Sequence, residues 1–326
     1  MKDKLTSFGD YPKTLGSISS LTSFSSGDSD SKPVTKLQAF GKNLPVYKRG
    51  LGDIPLLITG PANLFKKLGM LPQALDNVFT IYFVDLFEKT QDFTMDFTHI
   101  GLADFTSELE SIRKQLELDK IALFGHSATG VLALEYMEKY KDKVLLNILV
   151  GMAPIWGEYK NNLVNKYFLE NSDAGRQRLF SSDQESKDNK QSANIPFVVN
   201  YNARRAHFYY EPQLSVWKTL WDDLCLDEDL VNHYFTLIRN YDIRKGFNNS
   251  GTPIFLGLGL YDYSCPFYGW TDDAQKQLAG MEYYIFENSG HYPQVEQAEL
   301  FCEKLLEYMR AVKLLPLQSM PIRNLK

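Results

Sequence analysis

The sequence is poor in the residues that build disulfide or metal frameworks. Its 326 residues include three cysteines, Cys225, Cys265 and Cys302, which lie far apart. They form no CxxC pair and their number is odd, so the sequence predicts neither a zinc site nor a disulfide framework. We expect free buried thiols in a reducing compartment.

A surplus of positive charge and a long apolar run are also missing. The formal net charge is −5, and no basic stripe is visible, which argues against nucleic acid or a polybasic membrane anchor as a partner. No apolar run approaches the roughly 20 residues that span a bilayer, and none follows Met1 as a secretory signal would. We expect a cytoplasmic protein without integral membrane association, and the sequence leaves its oligomeric state open.

The apolar content suffices for a large core, because hydrophobic residues make up 44% and aromatic residues 13% of the chain. The length suits one large domain or one domain with an insertion. Residues 1–33 are rich in Ser, Gly, Asp and Thr and predict a flexible N-terminal segment. A second polar stretch, residues 171–194, predicts an exposed loop.

Strands and helices alternate along most of the chain. Short apolar, β-branched runs predict strands, and apolar residues at spacings of three and four predict amphipathic helices. The predicted strands cover residues 55–59, 78–84, 121–124, 144–150, 253–258 and 281–286, and the predicted helices cover residues 102–116, 131–137 and 298–312. This order predicts an α/β fold with a doubly wound, mostly parallel sheet.

The alternation breaks in an aromatic-rich region that has a helical pattern, residues 154–247. Because this region interrupts the strand order, we expect an insertion that packs over the sheet. Residues 34–153 and 248–326 would then form the α/β core on either side of it.

The segment with the clearest chemistry is a strand that runs into the turn Gly125-His126-Ser127-Ala128-Thr129-Gly130 and then into a helix. This pattern is close to the nucleophile elbow G-x-S-x-G, in which small neighbours permit a strained turn that exposes the serine hydroxyl. Thr129 stands where the second glycine of the motif is expected. A glycine-rich turn with a capping serine is the alternative, but the strand-turn-helix context favours Ser127 as a nucleophile.

A nucleophilic serine needs a general base, and the chain contains five histidines that could serve. His126 adjoins the serine, where the elbow is expected to point it away from the hydroxyl. His99 precedes a helix, and His207 and His233 fall in the insertion. His291 follows the last predicted strand, at the sheet edge where this architecture presents its histidine, and we predict it as the base.

An acid should fall between the serine and the histidine in chain order. Asp262 follows the strand at residues 253–258 and precedes Pro266, so we predict that it orients the imidazole of His291. A turn-forming aspartate is the alternative. Asp272 and Asp273 are competitors, and we expect them in the first turn of a helix.

Backbone N–H groups would hold the oxyanion of an acyl-transfer reaction. The N–H of Ala128 is one candidate, because it follows the serine. The second should come from the loop after the strand at residues 55–59. Pro61 has no N–H, so Ala62 or Asn63 must serve.

These motifs resemble the α/β-hydrolase superfamily, in particular the lid-bearing branch that includes proline iminopeptidases. The resemblance covers roughly residues 40–312, and the segments ITGPAN, GLGLYDYSCP and FENSGHYPQVE carry it together with the run Asp104 to Tyr140. The chain departs from the family at Thr59, where many members have histidine, and at Thr129. The resemblance implies that residues 154–247 form a helical lid over the active site.

By the same resemblance, the lid contributes substrate-binding residues, for which Tyr209, Tyr210, Glu211 and Trp217 are candidates. Peptidase members hold the free amine of a substrate with acidic lid residues, and Glu211, Asp222 and Asp223 are available. Packing within the lid is the alternative for most of these aromatic residues.

The sequence therefore predicts a serine hydrolase that cleaves an ester, amide or peptide bond of a small, partly hydrophobic substrate or short peptide through an acyl-enzyme. Such a reaction requires no cofactor and no metal. The alternative is a binding protein on the same fold with slow or no turnover, which Thr129 and Pro61 keep open.

Overall fold

The computed structural model describes residues 32–67, 69–90, 96–188, 197–218, 220–221, 223–247 and 251–316. Nearly all of the N-terminal segment predicted at residues 1–33 lies outside these ranges. None of the helices in the described ranges combines the length and the apolar character that crossing a membrane requires.

Eight strands in the described residues form one sheet, in the order β1-β2-β4-β3-β5-β6-β7-β8. The strands are β1 Thr35–Ala39, β2 Lys42–Arg49, β3 Ile54–Ile58, β4 Phe79–Phe83, β5 Ile121–His126, β6 Val144–Val150, β7 Ile254–Gly259 and β8 Met281–Phe286. Strands β3 to β8 pair in parallel, and β1 and β2 form an antiparallel edge. The predicted α/β class with a mostly parallel sheet is confirmed.

Helices pack on both faces of the sheet. The helices are α1 Ala62–Lys66, α2 Leu102–Gln115, α3 Thr129–Lys139, α4 Glu158–Asn171, α5 Ala174–Asp188, α6 Phe197–Asn202, α7 Arg205–Phe208, α8 Glu228–Ile238, α9 Asp272–Lys276, α10 Pro293–Glu296 and α11 Ala298–Ala311. Helices α2, α3 and α9 contribute to the core on one face, and α1 and α11 contribute to the core on the other.

The central strands are buried on both faces because both are covered by helices. All six residues of β5 are buried, and so are all six of β7. Strand β5 continues to His126, two residues beyond the predicted end, so the sheet delivers the chain directly to Ser127.

Helices α4 to α8 lie between β6 and β7 in the chain, where the insertion was predicted. The exposed loop predicted at residues 171–194 is wrong over much of its length, because residues 174–188 form α5. Arg176 is the one buried residue of the polar helix α5. Its guanidinium donates to the carbonyl oxygens of Ala206, Tyr209 and Tyr210. These bonds attach α5 to the rest of the insertion.

The expectation of buried thiols holds for two of the three cysteines. Cys265 and Cys302 are buried, whereas Cys225 is exposed. All three are free thiols.

Candidate active site

The turn between β5 and α3 holds Ser127 in a strained conformation. Ser127 has a φ of 53°, in the left-handed region that residues other than glycine rarely adopt. Its backbone N–H donates to the Val150 carbonyl at 2.8 Å, and its carbonyl accepts from the Gly130 N–H at 3.1 Å. The turn is therefore fixed on one side by β6 and on the other by the start of α3.

The glycines of this turn are required by close packing. A Cβ atom on Gly125 would lie 2.8 Å from the Cα of Gly130, and a Cβ on Gly130 would lie 2.6 Å from the Sδ of Met152. Both distances are shorter than real Cβ contacts. The strand and the helix can meet at this angle because neither position carries a side chain.

Thr129, the departure from the motif, is accommodated by its hydrogen bonds. Its hydroxyl donates to the His126 carbonyl at 2.9 Å, and its own carbonyl accepts from the Thr59 hydroxyl at 3.0 Å. Gly60 leaves space for it, since a Cβ there would lie 2.8 Å from the Thr129 Oγ1. A threonine at this position therefore joins the turn to the end of β3.

His291 and Asp262 form a buried pair at the carboxyl ends of β8 and β7. The Nδ1 of His291 lies 2.7 Å from the Oδ2 of Asp262, and both side chains are fully buried. The Oδ1 of Asp262 accepts from the backbone N–H groups of Ser264 and Cys265, each at 2.8 Å. The carboxylate is thus fixed by three donors, and it holds the imidazole in one orientation.

The loop that carries His291 is held by Glu296 from α10. The Oε2 of Glu296 accepts from the Ser289 hydroxyl at 2.9 Å and from the Gly290 N–H at 2.7 Å, and its Oε1 accepts from the Tyr210 N–H at 2.6 Å. Burial raises the pKa of Glu296 to about 7. One carboxyl group therefore joins the histidine loop to the insertion.

The Nε2 of His291 is buried and forms no hydrogen bond with the part of the chain that the structure describes. The Cys265 thiol lies within 4.8 Å of ligand atoms of Asp262 and His291. Burial raises the pKa of this thiol to about 11, so Cys265 stays protonated near neutral pH. An imidazole held by a carboxylate at one nitrogen and free at the other can accept and return a proton.

His126 lies closer to the site than the sequence predicts. Its ring packs against those of His291, at 4.6 Å between centroids, and Tyr292, at 4.5 Å. Its Nε2 donates to the His291 carbonyl at 2.8 Å. Burial lowers its pKa well below the ordinary value of 6.5, so His126 is neutral and supports the histidine loop.

The candidate oxyanion donors have different surroundings. The Asn63 N–H donates to the Oδ2 of the buried Asp85 at 2.9 Å, so Asn63 is not available as a donor in this structure. Among the described residues, the N–H groups of Ala62 and Ala128 donate to no backbone or side-chain acceptor. Ala62 and Ala128 therefore remain as the two candidates.

Asp85 fixes the start of α1, an arrangement that the sequence analysis missed. Its Oδ1 accepts from the Phe87 N–H at 3.0 Å while its Oδ2 accepts from Asn63. Burial raises the pKa of Asp85 to about 7. The only sequence signal is an aspartate directly after the strand predicted at residues 78–84.

An apolar pocket adjoins Ser127. It is lined by the elbow residues His126, Ser127, Ala128 and Thr129 and by side chains of the insertion, among which the aromatic ones are Phe197, Tyr201, Trp221, Tyr234 and Phe235. The lining residues that the structure describes include no Asp, Glu, Lys or Arg. The lining suits an apolar ligand.

The structure does not bring the four predicted lid residues to this cavity. Tyr209 and Trp217 are buried and stack on each other with ring centroids 4.0 Å apart. Tyr210 packs against Tyr261, and Glu211 is half-buried outside the lining. Aromatic content marks a packed insertion, but only the three-dimensional arrangement decides which rings face the cavity and which pack behind it.

The acidic residues considered for binding an amine are also elsewhere. Asp223 forms an ion pair with Lys67, and Asp222 lies outside the described residues. Asp272 and Asp273 lie in the first turn of α9, as expected.

Asp262, Cys265 and His291 are the potential metal ligands of the site. One ligand atom from each lies within 4.8 Å of the others. The carboxylate and the Nδ1 of the imidazole already bind each other at 2.7 Å, and thiol burial disfavours the thiolate that a metal would need. We therefore assign no metal to these residues.

The family model for the alpha/beta hydrolase fold matches residues 58–298. The chain therefore belongs to the α/β-hydrolase family. The eight-stranded, mostly parallel sheet agrees with this membership.

Two curated relatives show which members of the family this chain is similar to. The AB hydrolase superfamily protein YclE of Bacillus subtilis is 26% identical over 208 residues, which cover 62% of this chain and 73% of that protein. A proline iminopeptidase of Lactobacillus crispatus is 23% identical over 222 residues, which cover 63% of this chain and 71% of that protein. The predicted resemblance to proline iminopeptidase-like hydrolases is confirmed.

Solved structures agree with the fold. An esterase from Exiguobacterium antarcticum superposes with a TM-score of 0.60 at 20% identity, and the match covers 85% of this chain and 99% of that one.

Proposed function

We propose that this hydrolase cleaves esters of small, partly hydrophobic acids or alcohols through an acyl-enzyme on Ser127. The observation that carries the proposal is the fully buried Asp262–His291 pair, 2.7 Å apart, whose Nε2 has no hydrogen-bond partner among the described residues. A strained elbow serine and an oriented imidazole are the two parts that nucleophilic catalysis requires.

In this mechanism the Ser127 hydroxyl donates to the Nε2 of His291 when substrate binds. Hydrogen bonds between catalytic groups are often long or absent before substrate binds and tighten in the complex. The serine oxygen attacks the carbonyl carbon as His291 takes its proton, and Asp262 stabilises the imidazolium. The N–H groups of Ala128 and Ala62 hold the oxyanion.

The tetrahedral intermediate then collapses, and His291 returns the proton to the leaving alcohol. Water attacks the acyl-enzyme with His291 again as base, which releases the acid and restores Ser127. The reaction consumes one water for each ester bond, and it needs no other reagent.

The cavity supports esters over aminoacyl substrates. Relatives include proline iminopeptidases, and a peptidase of this kind must hold a charged amine. None of the described lining residues carries a carboxylate, and Asp223 is paired with Lys67. An apolar group fits the aromatic lining contributed by the insertion, which we propose acts as the lid.

The test is labelling with a fluorophosphonate probe, comparing the wild type with Ser127→Ala. Ser182→Ala is the matched control, because Ser182 is exposed on α5. We expect labelling of the wild type and of the control, and none of Ser127→Ala. A panel of short-chain p-nitrophenyl esters and aminoacyl arylamides would then separate esterase from aminopeptidase activity.

Absence of labelling in folded wild-type protein would overturn the proposal and favour the alternative, a binding protein on the same fold. The engaged Asn63 N–H is the observation that favours this alternative. Thermal stabilisation of unlabelled protein by small apolar esters would then be the next measurement.

A further inference from the structure

Three aromatic rings contact the imidazole of His291. The ring of Phe208 stacks on it, with 5.2 Å between centroids and 30° between planes. The rings of His126 and Tyr292 cross it at steep angles, 69° and 88°, with centroids 4.6 and 5.5 Å away. Because the carboxylate of Asp262 fixes the Nδ1 atom, these rings limit how far the Nε2 end of the imidazole can swing about that bond.

Tyr201, in α6, contacts two of these three rings. Its own ring stacks on that of Phe208, with 4.2 Å between centroids and 19° between planes. Its hydroxyl oxygen lies 2.6 Å from that of Tyr292, so the two hydroxyls are hydrogen-bonded. Tyr201 therefore reaches His291 by two routes, one through the Phe208 ring and one through the Tyr292 hydroxyl.

The bond between the two hydroxyls matters because Tyr292 is fully buried. Burial raises the pKa of both tyrosines, so both hydroxyls stay protonated near neutral pH. A buried hydroxyl without a partner is costly, and the structure gives Tyr292 the hydroxyl of Tyr201 as its partner. Removal of the Tyr201 oxygen would therefore release the Tyr292 ring from the contact that fixes its outer end.

Tyr201 also belongs to the wall of the apolar pocket beside Ser127. Its ring packs against that of Trp221, another lining residue, with 4.3 Å between centroids. Part of the pocket wall is therefore in direct contact with the side chains that surround the base.

We propose that Tyr201 is a positioning residue for His291, which holds the imidazole through the Phe208 ring and the Tyr292 hydroxyl. The inference rests on the proposed esterase function, to which it adds a residue of the insertion. General-base catalysis depends on the distance and alignment of the base, so a small displacement of the imidazole slows proton transfer. Loss of the Tyr201 contacts should therefore slow the chemical steps and leave substrate binding nearly unchanged.

The kinetic test is a double-mutant cycle with Tyr201→Phe, Tyr292→Phe and the two combined, measured on p-nitrophenyl butyrate. Each substitution removes one oxygen and keeps the ring, so the apolar wall of the pocket is preserved. We expect each single variant to lower kcat about tenfold, with KM within about twofold of the wild-type value. The double variant should lose no more than either single variant, because the two oxygens form one bond.

Tyr268→Phe is the matched control. Tyr268 is half-buried, as Tyr201 is, and its hydroxyl donates to the Leu163 carbonyl at 2.8 Å. This control should retain the wild-type kcat. A loss that appears in KM alone would make Tyr201 a part of the binding surface and overturn the positioning role. A double variant about a hundredfold below the wild type would mean that the two hydroxyls act independently, which also overturns it.

The second readout is the proton resonance of the His291 Nδ1–H, which the 2.7 Å bond to Asp262 displaces downfield. It is recorded on the resting protein without substrate and assigned by its absence from His291→Gln. Tyr201→Phe should shift or broaden this resonance, and Tyr201→Leu, which also removes the stacked ring, should change it further. The Tyr268→Phe control should leave it unchanged. A resonance that neither Tyr201 variant alters would overturn the positioning role.

The resonance separates this inference from the proposed function, because its measurement needs no turnover. If no ester is hydrolysed but both Tyr201 variants change the resonance, the esterase proposal fails and the positioning role stands. If esters are hydrolysed and the Tyr201 variants keep both the wild-type kcat and the wild-type resonance, the esterase proposal stands and the positioning role fails.

Discussion

At the scale of single residues, the site depends on Asp262, whose two carboxylate oxygens both accept hydrogen bonds. Its two oxygens accept from Ser264, Cys265 and His291, so the carboxylate has no freedom to turn. The sequence indicated Asp262 because it follows a strand and precedes a proline. It could not indicate Cys265 as a neighbour of His291, because a lone cysteine three residues later carries no local signal.

Asp262→Asn should lower kcat/KM for ester hydrolysis by about 10³–10⁴, the loss expected when an imidazole is left in the wrong tautomer. The fold should be kept, because the amide oxygen can still accept from the N–H groups of Ser264 and Cys265. Steady-state kinetics on a p-nitrophenyl ester is the measurement. Asp272→Asn serves as control and should retain wild-type activity, and the reverse result would move the acidic role to α9.

At the scale of elements, the predictions from sequence succeeded where local signals suffice. Strand β6 and strand β8 begin and end where their apolar runs do, and the elbow was visible as a strand that enters a helix. The hairpin of β1 and β2 was missed, because residues 35–49 mix charged and apolar side chains with no strong turn signal. Helix α5 was missed because its one buried residue, Arg176, is charged, so the helix shows no apolar stripe in the sequence.

Glu296, which holds the loop between β8 and α10, should make the free energy of unfolding depend on pH. Burial raises the pKa of Glu296 from 4.5 to about 7, so the folded protein favours the protonated carboxyl. The stabilisation by the protonated Glu296 carboxyl is fully present below about pH 4.5 and is lost as the pH rises through about 7. The shift corresponds to about 3 kcal/mol.

Glu296→Gln should remove this dependence, because the amide does not titrate. Urea unfolding at about pH 5 and about pH 8 would show the wild type losing about 3 kcal/mol relative to the variant over this interval. Parallel pH profiles for the two proteins would show that Glu296 does not titrate in this range.

At the scale of the whole molecule, the insertion is attached to the α/β core at places far apart in sequence. The ammonium of Lys42, in β2, donates to the Oδ2 of Asp227 at 2.7 Å and to the Glu88 carbonyl at 3.1 Å. Asp227 also begins α8, where its Oδ1 accepts from the Leu230 N–H. Contacts of this kind are invisible to a sequence pattern, because 185 residues separate the two partners. For the same reason the sequence could not tell Tyr209 and Trp217, which pack behind the site, from Tyr201 and Trp221, which line it.

Asp227→Asn should reduce the free energy of unfolding by about 3 kcal/mol, because it removes the negative charge that faces the buried Lys42 ammonium. Chemical denaturation at constant pH measures the change. Asp119→Asn is the control, since Asp119 pairs with Lys143 at the surface and its loss should cost less than about 1 kcal/mol. A loss at Asp227 as small as at the control would mean that Lys42 finds another acceptor.

The backbone N–H of His291 donates to the Phe208 carbonyl at 2.5 Å, and Gly290 has no room for a side chain because a Cβ there would lie 2.2 Å from the same oxygen. The insertion and the histidine loop therefore share a backbone hydrogen bond. If α7 moves outward, this bond to the residue that carries the imidazole must break, so the positions of α7 and of the His291 backbone are coupled.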